Sequence, residues 1–452
     1  MTGAALVLWR RKDGTLRPSK AYWAVLAVAA ATGVYAYRAQ PQLGFVGDWD
    51  IYHHYLGAKY ADELGYDKLY GATIAADADG ARLFTTIPRV RDIRTQGYLS
   101  VAEILAHRSD YTSRFSDARW KDFCRDLAWF QARVRRVDWP GMLGDRGYHP
   151  TPAWDRLAGI YASHVPLESA WGLRALTLPD ELFFLIACAA IARAYGLSTL
   201  CFFLIAWGAN PLHMTPLKGA FGRIDWLAAL LGSMAAYRRK RYALSGACLG
   251  WATMTRVFPV VFVGAVLARA AWTLHETRRP DRRDLRFFAA FSVVAAALFA
   301  IGCPLARWAG FAAAIRLHAE VLSFQRSGLE YLVGLGRPWL YWPAALLLAG
   351  FVAFTARRMT RPRLLPAGVA LMFTFISAAS YYHVVLSALV LCFHRRKSSV
   401  DTWGLAALMA TFAVGAGAAI AMGGALRAEV SYLWSMMLLG LSLIVVLPAR
   451  GA

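Results

Sequence analysis

The sequence predicts an all-α polytopic membrane protein that forms one integral membrane domain over residues 1 to 452. Hydrophobic residues make up 58% of the chain and the mean hydropathy is +0.38, which is high for a soluble globular protein of this length. Apolar runs of helical length recur to the C-terminus. Short basic clusters follow several of these runs, as they do in the cytoplasmic loops of multispanning proteins.

The apolar runs predict about twelve spans. The first covers residues 21 to 37, a polar extracytoplasmic loop covers residues 38 to 178, and the rest of the bundle covers residues 179 to 452. The run from 243 to 271 is interrupted by Arg256 and Pro259, so it predicts two short helices that meet near the outer face. The other spans are predicted at 179–194, 197–209, 224–237, 287–303, 339–355, 365–380, 382–392, 402–422 and 432–447.

The formal charge of +22 lies mainly in the N-terminal tail and in the short loops. Residues 38 to 174 carry 18 Lys and Arg against 17 Asp and Glu. This is the positive-inside pattern, and it predicts a multi-pass protein of a bacterial inner membrane with both termini in the cytoplasm. The same distribution argues against a nucleic-acid partner, because every multispanning protein needs basic loops.

The long loop contains an apolar pattern with helical spacing. Trp120, Phe123, Leu127, Phe130 and Val134 recur at intervals of three and four residues, with charged residues between them. The pattern predicts an amphipathic helix that lies on the membrane surface or on the transmembrane bundle.

A second feature of the loop is the stretch from 145 to 154, which reads DRGYHPTPAW. Its prolines and glycine indicate an ordered turn that leads into a helix. Asp145, His149 and Trp154 could also line a sugar pocket, although a structural role is favoured on the sequence alone.

Two carboxylates, Asp48 and Asp50, follow the first span directly. An ionisable group at this position is costly unless it has a function or is well solvated. Asp50, with Asp48 as the second candidate, could accept a proton from an acceptor hydroxyl. The alternative is that one or both acids cap the helix that follows, since acids are favoured near a helix N-terminus.

Three further polar positions lie on the same side of the membrane in this topology. Arg256 stands alone in an uncharged run, so it either binds an anion such as a phosphate or extends to the interface. Arg223 and Asp225 are either part of a site or a structural ion pair. Tyr382 and His383 lie at the outer end of a span, where aromatic belts are also common.

No Walker loop, dinucleotide fingerprint or zinc motif occurs in the sequence, and the six cysteines have no metal-ligand or redox spacing. We therefore expect no cofactor and no metal. No long cytoplasmic segment is present to bind a soluble nucleotide sugar, so the donor of an enzyme built on this chain would arrive in the membrane.

Several motifs resemble those of the GT-C superfamily of integral membrane glycosyltransferases, closest to the polyprenyl-phosphate-mannose-dependent α-mannosyltransferases of glycosyltransferase family 87. Asp50-Ile51-Tyr52, followed by Gly65-Tyr66 and Leu69-Tyr70, resembles the opening motifs of that family. The stretch from 218 to 262 resembles its Gly-Gln, basic-loop and Lys-x-x-Pro succession, with Arg223 in place of glutamine and Arg256 in place of lysine. The stretch SAASYYHVVLSALVL from Ser377 resembles the family's histidine-containing segment.

The resemblance implies a GT-C-like bundle with interfacial helices in the first loop. It implies an inverting transfer of a sugar from a polyprenyl-phosphate carrier to a glycan or glycolipid acceptor. Asp50, or else Asp48, would be the general base, and Arg256 with Arg223 would bind the donor phosphate. Four residues would contribute to substrate binding: Asp225, Tyr382, His383 and, through the Asp-x-Tyr motif, Tyr52.

Two other function classes remain open on the sequence. A transporter or flippase of a lipid-linked or anionic substrate would often show two related halves. We find no second copy of the 48 to 70 pattern. A structural subunit of a membrane assembly would tolerate replacement of the acidic pair and of Arg256.

Overall fold

The computed structural model describes residues 8–10, 16–18, 20–38, 47–209, 219–320, 326–334, 337–376, 378–393, 405–406, 408–410 and 440. Within these ranges the chain is mostly helical, as the sequence predicts. The predicted spans at 402–422 and 432–447 lie outside the described residues except for a few isolated positions.

A helix after the N-terminal hairpin leads to a group of short helices, which we call the first-loop segment (residues 47 to 171). These elements are α1 (Lys20–Arg38), α2 (Asp48–Ile51), a π-helical stretch (Tyr52–Leu56), α3 (Gly57–Lys59), α4 (Ala61–Leu64), α5 (Leu69–Asp79), α6 (Val101–Ala106), α7 (Ser109–Thr112), α8 (Asp117–Arg133), a 3-10 turn (Arg136–Asp138), α9 (Trp139–Leu143) and α10 (Pro152–Ser163).

Longer helices follow, which we call the bundle. They are α11 (Gly172–Tyr195), α12 (Leu197–Ala209), α13 (Asp225–Arg238), α14 (Tyr242–Arg256), a 3-10 stretch (Phe258–Phe262), α15 (Val263–Thr277), α16 (Arg282–Ile301), α17 (Leu305–Glu320), a π-helical turn (Glu330–Gly334), a 3-10 turn (Pro338–Leu340), α18 (Tyr341–Ala356), α19 (Arg361–Phe375) and a 3-10 helix (Ser380–Phe393).

The described strands form three small antiparallel pairs. In each pair two strands of two or three residues meet, and none belongs to a larger sheet. The pairs are β1 (Leu8–Arg10) with β2 (Leu16–Pro18), β3 (Val90–Arg91) with β4 (Tyr98–Leu99), and β5 (Arg326–Ser327) with β6 (Ala378–Ala379).

Three described helical stretches are long and apolar enough to cross a membrane: Gly172–Tyr195, Phe258–Thr277 and Arg282–Ile301. Shorter apolar helices lie at Trp23–Thr32, Leu197–Gly208, Tyr341–Ala356 and Val384–Phe393. These lengths indicate a membrane protein. The first long span begins at Gly172, seven residues before the predicted start.

Two boundaries in the bundle bear on the sequence predictions. The predicted break in the 243 to 271 run is confirmed, since α14 ends at Arg256 and a 3-10 stretch precedes α15. Helix α17, which carries Arg307, was not among the predicted spans. The guanidinium of Arg307 forms an ion pair with Asp62 of the first-loop segment.

Most members of one buried hydrophobic cluster belong to the first-loop segment, and Leu176 of α11 and Phe221 join it from outside the segment. Phe123, Leu127 and Phe130 of α8 are fully buried in that core. The edge of the Phe130 ring contacts Tyr52. The amphipathic helix is thus confirmed, but its aromatic face covers neither the membrane surface nor the bundle. Aromatic residues of the same segment cover it instead.

Helices α14 and α16 approach each other at backbone distance. Gly246 and Gly250, spaced by four residues, face α16. A Cβ atom built on Gly246 would lie 2.0 Å from the carbonyl oxygen of Phe287, and one built on Gly250 would lie 2.8 Å from that of Phe291. Small residues at this spacing allow two membrane helices to pack closely.

We expect the Gly246→Ala substitution to destabilise the protein by about 2 kcal/mol, because the added methyl group forces the helices apart. Thermal unfolding of the purified protein in detergent would measure the change. Gly232→Ala is the matched control, since its nearest neighbour would be the sulfur of Cys248 at 3.8 Å. In a helix that substitution is expected to be neutral or stabilising. Equal melting temperatures for the two variants would contradict the close packing.

Candidate functional site

Four pieces of the chain meet where the first-loop segment contacts the bundle. They are the helical start of the segment, helix α10, the turn from 219 to 225 and the end of α14. Thr151 connects two of them, because its hydroxyl donates to the carbonyl of Met254 at 2.6 Å and also caps α10 by accepting from the amide of Trp154. Three buried charged groups of the sequence prediction, Asp50, Arg223 and Arg256, lie at this junction.

Asp50 is buried, with 6% of its surface exposed. Its Oδ1 lies 3.3 Å from Nε of Arg223. Its Oδ2 has no hydrogen-bond partner among the described residues. Asp50 therefore neither caps a helix nor forms a two-point salt bridge, and it keeps one open acceptor oxygen in a buried place.

His54 completes a triangle with these two groups. Its Nδ1 lies 2.9 Å from the carbonyl oxygen of Asp50 and 3.4 Å from Oδ1 of the same residue. Its Nε2 lies 2.6 Å from Nη1 of Arg223. Because Arg223 can only donate, Nε2 is the acceptor, and the ring proton is on Nδ1.

The ring of His54 is held by its surroundings. It makes edge contacts with the rings of Tyr148 and Trp154, with centroids 5.5 Å away in both cases. His54 lies in the π-helical stretch Tyr52–Leu56, and such stretches leave backbone carbonyls without their usual i+4 amide partner. The Nδ1 atoms of His53 and His54 both contact the carbonyl four residues earlier.

Asp180 of α11 holds the turn that carries Arg223. Its two carboxylate oxygens accept the backbone amides of Arg223 and Ile224, each at 2.9 Å. These amides precede the first turn of α13, where no intrahelical carbonyl is available to them. The position of Arg223 therefore depends on a carboxylate from another helix.

Arg256 ends α14 and is also buried. Its Nη1 donates to the carbonyl of Thr255 at 2.9 Å and its Nη2 to that of Gly222 at 3.1 Å. Its guanidinium carbon lies 5.1 Å from the ring centroid of Trp154. Its Nε has no hydrogen-bond partner among the described residues. The predicted isolated arginine is thus a buried cation rather than one that extends to the interface.

The backbone at this helix end is unusual. Val257 has a φ of 26°, in the left-handed region that β-branched residues rarely adopt. This turn ends α14 directly after Arg256. Such strained residues persist only where the surroundings fix them, and they are frequent at binding sites.

Asp225 and Tyr382 lie on the bundle side of the junction. Oδ2 of Asp225 accepts from Nε1 of Trp251 at 3.3 Å, while Oδ1 has no partner among the described residues. The Tyr382 ring contacts Trp226 and Phe258, with centroids at 5.7 and 4.8 Å. Asp225 is near enough to Arg256 for the two charges to interact, and Phe258, which contacts Tyr382, lies two residues after Arg256. The predicted alternative of an Arg223–Asp225 pair gives way to the pair of Arg223 with Asp50.

Three other predicted residues lie elsewhere. Asp48 is partly exposed and pairs with Arg133 at 2.5 Å. Tyr52 is fully buried in the first-loop core, where its hydroxyl lies 2.7 Å from that of Thr73. It therefore supports the helix rather than facing the junction. The backbone of His383 lies in the 3-10 helix Ser380–Phe393, but its side chain is outside the described part of the structure.

Burial dominates the electrostatics of this site. It raises the pKa of Asp50 above the usual value, while the charges of Arg223, His53 and Arg256 lower it. Burial, with Arg223 nearby, holds the pKa of His54 well below its usual value. His54 is therefore neutral, in agreement with its acceptor role toward Arg223.

A second buried carboxylate, Asp155, lies next to Trp154 on α10. It accepts from the hydroxyls of Tyr148 at 2.5 Å and Tyr66 at 3.0 Å. Burial raises its pKa from 3.8 to about 7, and the two tyrosine hydrogen bonds oppose this shift. Tyr66, which belongs to the Gly65-Tyr66 motif, thus has a partner in the interior.

Within the described ranges, no group of three or more His, Cys, Asp or Glu side chains is arranged to hold a metal ion. The junction instead offers an open carboxylate oxygen and a cation with an unused donor. Such a pair can accept a proton from one group and bind an anion on another.

Sequence reasoning missed Asp180 and His54. Asp180 could have been found, because an acid inside an apolar span is expensive. His54 lies four residues after Asp50 in the sequence, but its role depends on a contact with Arg223, which is distant in the chain. For Trp154 we favoured a structural role, and its contacts are of that kind: its Nε1 donates to the carbonyl of Gly222 and its ring lies against Arg256.

Asp180→Asn should destabilise the protein by about 1 to 3 kcal/mol, because an amide offers only one acceptor to two buried backbone amides. Chemical denaturation in detergent would measure the loss. Glu276→Gln makes the same chemical change at an exposed position of α15 and should shift stability by less than about 0.5 kcal/mol. A similar small change for Asp180→Asn would contradict its role in holding the turn.

Asp155 should make stability depend on pH. The unfolded chain ionises near pH 4, whereas the folded protein keeps this proton up to about pH 7. The contribution of Asp155 to the free energy of unfolding is therefore fully present below pH 4 and falls as pH rises toward 7. Above pH 7 it stays constant, after a total loss of up to about 4 kcal/mol. Melting temperatures of the wild type and Asp155→Asn across this range would test it. The slope should be smaller in the variant, and an unchanged slope would refute the assignment.

Comparison with known proteins adds no family to this geometry: no protein-family model and no curated protein matches the sequence.

Proposed function

We propose that this protein is an inverting GT-C-type glycosyltransferase, which moves a sugar from a polyprenyl-phosphate carrier to a hydroxyl of a glycan or glycolipid acceptor outside the cytoplasm. The observation that carries the proposal is the buried carboxylate of Asp50, whose Oδ2 has no partner within the described residues. Arg256, whose described hydrogen bonds go to backbone carbonyls, lies close enough to lower the pKa of Asp50.

In the proposed reaction, Oδ2 of Asp50 takes the proton of the acceptor hydroxyl. As it does so, the oxygen of that hydroxyl attacks the anomeric carbon of the donor sugar. The bond from the anomeric carbon to the phosphate oxygen breaks, and the lipid phosphate leaves with the bonding electrons. Attack opposite the leaving group inverts the anomeric centre. A general base at this position typically contributes a factor of about 10² to 10⁴ in rate.

Arg256 is the proposed cation for the donor phosphate. In the sequence Arg256 is the lone charge of an apolar run, which indicated an anion-binding role. Its Nε, which has no partner among the described residues, supports this role. A guanidinium that stabilises the charge developing on the leaving phosphate lowers the barrier. Arg223 adds positive charge, but its ion pair with Asp50 makes it a partner of the base first. Asp225 and Tyr382 would contact the donor sugar, and we keep His383 as a candidate beside them.

The membrane setting is consistent with a lipid-carried donor. Three described helical stretches can cross a membrane, and α14, which carries Arg256, lies against one of them. A bundle of about twelve spans, an outward-facing first-loop segment and cytoplasmic termini belong to the proposal.

One observation favours a transporter as the second candidate. The helix that carries Arg256 ends at a strained residue and continues as a 3-10 stretch, and broken helices at a charged site are common in transporters. A transporter would often show two related halves, and the sequence has no second copy of the 48 to 70 pattern, so we rank the enzyme first.

Asp50→Asn should lower the turnover of sugar transfer by about 10² to 10⁴, because the amide cannot take the proton. The assay uses purified protein in lipid, radiolabelled polyprenyl-phosphate sugars and an extract of candidate acceptors. Asp48→Asn is the matched control, since it makes the same change two residues away on a partly exposed ion pair.

Two outcomes would overturn the proposal. Turnover that survives Asp50→Asn would exclude this residue as the base. A wild-type protein that transfers no sugar from any lipid-phosphate donor, yet moves such a lipid across a bilayer, would establish the transporter.

Arg256→Ala should lower the turnover of sugar transfer by a factor of about 10² or more, because the leaving phosphate loses its cation.

A further inference from the structure

We propose that His54 is a positioning residue that keeps Arg223 on one oxygen of Asp50 and so leaves Oδ2 open for the acceptor hydroxyl. The inference rests on the proposed function, in which that oxygen is the general base. It starts from the closed triangle of Asp50, His54 and Arg223, which motif comparison did not suggest.

Arginine and carboxylate groups usually pair through two parallel hydrogen bonds, which would occupy both carboxylate oxygens. Here the contact is with Oδ1 alone, at 3.3 Å from Nε. Nη1 of Arg223 is directed instead to Nε2 of His54 at 2.6 Å. The imidazole thus holds the Nη1 end of the guanidinium, and turning that end toward the carboxylate would break this hydrogen bond.

The neutral ring is essential to this arrangement. A protonated imidazole has no acceptor atom and would repel the guanidinium. Burial among Tyr148 and Trp154 and the proximity of Arg223 hold the pKa of His54 well below its usual value, so the ring stays neutral. Its Nδ1 contact with the Asp50 carbonyl then fixes which nitrogen carries the proton.

Removal of the imidazole would release the Nη1 end of Arg223 from its hydrogen bond with His54. The released end would lie near Oδ2 of Asp50, which has no donor in the described residues. Because buried polar groups are strongly driven to pair, the guanidinium would swing onto both oxygens. The base would then be blocked and its pKa lowered, since a closer cation favours the charged form.

Other charged groups around Asp50 are accounted for in this expectation. On its own helix the neighbours are His53 and His54, the turn before α13 contributes Arg223, and α14 contributes Arg256. Asp180 of α11 is near enough for the charge of Asp50 to act on it. Among them, His54 and Arg223 are the two that make direct side-chain contact with Asp50 at the distances given above.

Three variants separate positioning from bulk packing. His54→Phe keeps the ring and removes both nitrogens. His54→Gln can place an amide oxygen near the position of Nε2 and so keep an acceptor for Arg223. His53→Gln is the control for disturbance of the same buried stretch, since His53 bonds to Trp49 and Tyr70 instead.

The first measurement is the pH dependence of sugar transfer. With His54→Phe, kcat should fall about 10-fold or more with little change in KM for the donor, and the acid limb should move down by about one pH unit. His54→Gln should restore most of the rate and the wild-type limb. His53→Gln removes a group whose charge lowers the pKa of Asp50, so its limb should stay in place or move up, opposite to that of His54→Phe. A limb that does not move in His54→Phe, or that moves down equally in His53→Gln, would overturn the inference.

A second measurement does not need catalysis. Infrared titration of the Asp50 carboxyl, assigned by subtraction of Asp50→Asn, should give a lower midpoint in His54→Phe than in the wild type. If the midpoint moves as expected but no sugar transfer is found, the positioning role stands and the proposed function fails. If transfer is found and neither the midpoint nor the limb moves, the positioning role fails alone.

Discussion

The ion pair between Asp50 and Arg223 is the contact on which the arrangement of the site depends. It joins the start of the first-loop segment to the turn before α13, and both partners are buried. Taking two such charges out of water is costly, and their attraction offsets the cost only when the geometry is fixed from outside. His54 and the carboxylate of Asp180 provide that constraint, one on each side of Arg223.

The same requirement accounts for the first-loop segment. A buried pair needs cover on the side away from the bundle, and a segment with an aromatic core can supply it rigidly. Helix α10 belongs to this cover: the ring of Trp154 lies against Arg256 while its indole nitrogen donates to the carbonyl of Gly222. A flat, delocalised guanidinium suits such a ring face better than an ammonium group does.

The sequence predicted local features such as helix positions and breaks, whereas it did not predict contacts between distant parts of the chain. The start of α12, at Leu197, follows from an uninterrupted apolar run, and the break after Arg256 follows from a charge and a proline in such a run. The burial of α8 against its own segment could not be predicted, because an amphipathic pattern shows that one face is buried but not which residues pack against it. The ion-pair partner of Arg223 could not be predicted either, since the sequence offers two candidate carboxylates, Asp50 and Asp225.

Helix α14 is clamped along its length. Its glycine face touches the backbone of α16, and at its first residue the guanidinium of Arg361 lies over the ring of Tyr242. Arg361 in turn pairs with Asp284 at the start of α16. Two helices joined at one end and in backbone contact cannot slide past each other without losing both connections. Arg256 therefore lies at the end of a helix that is fixed to α16 both at its start and along its glycine face.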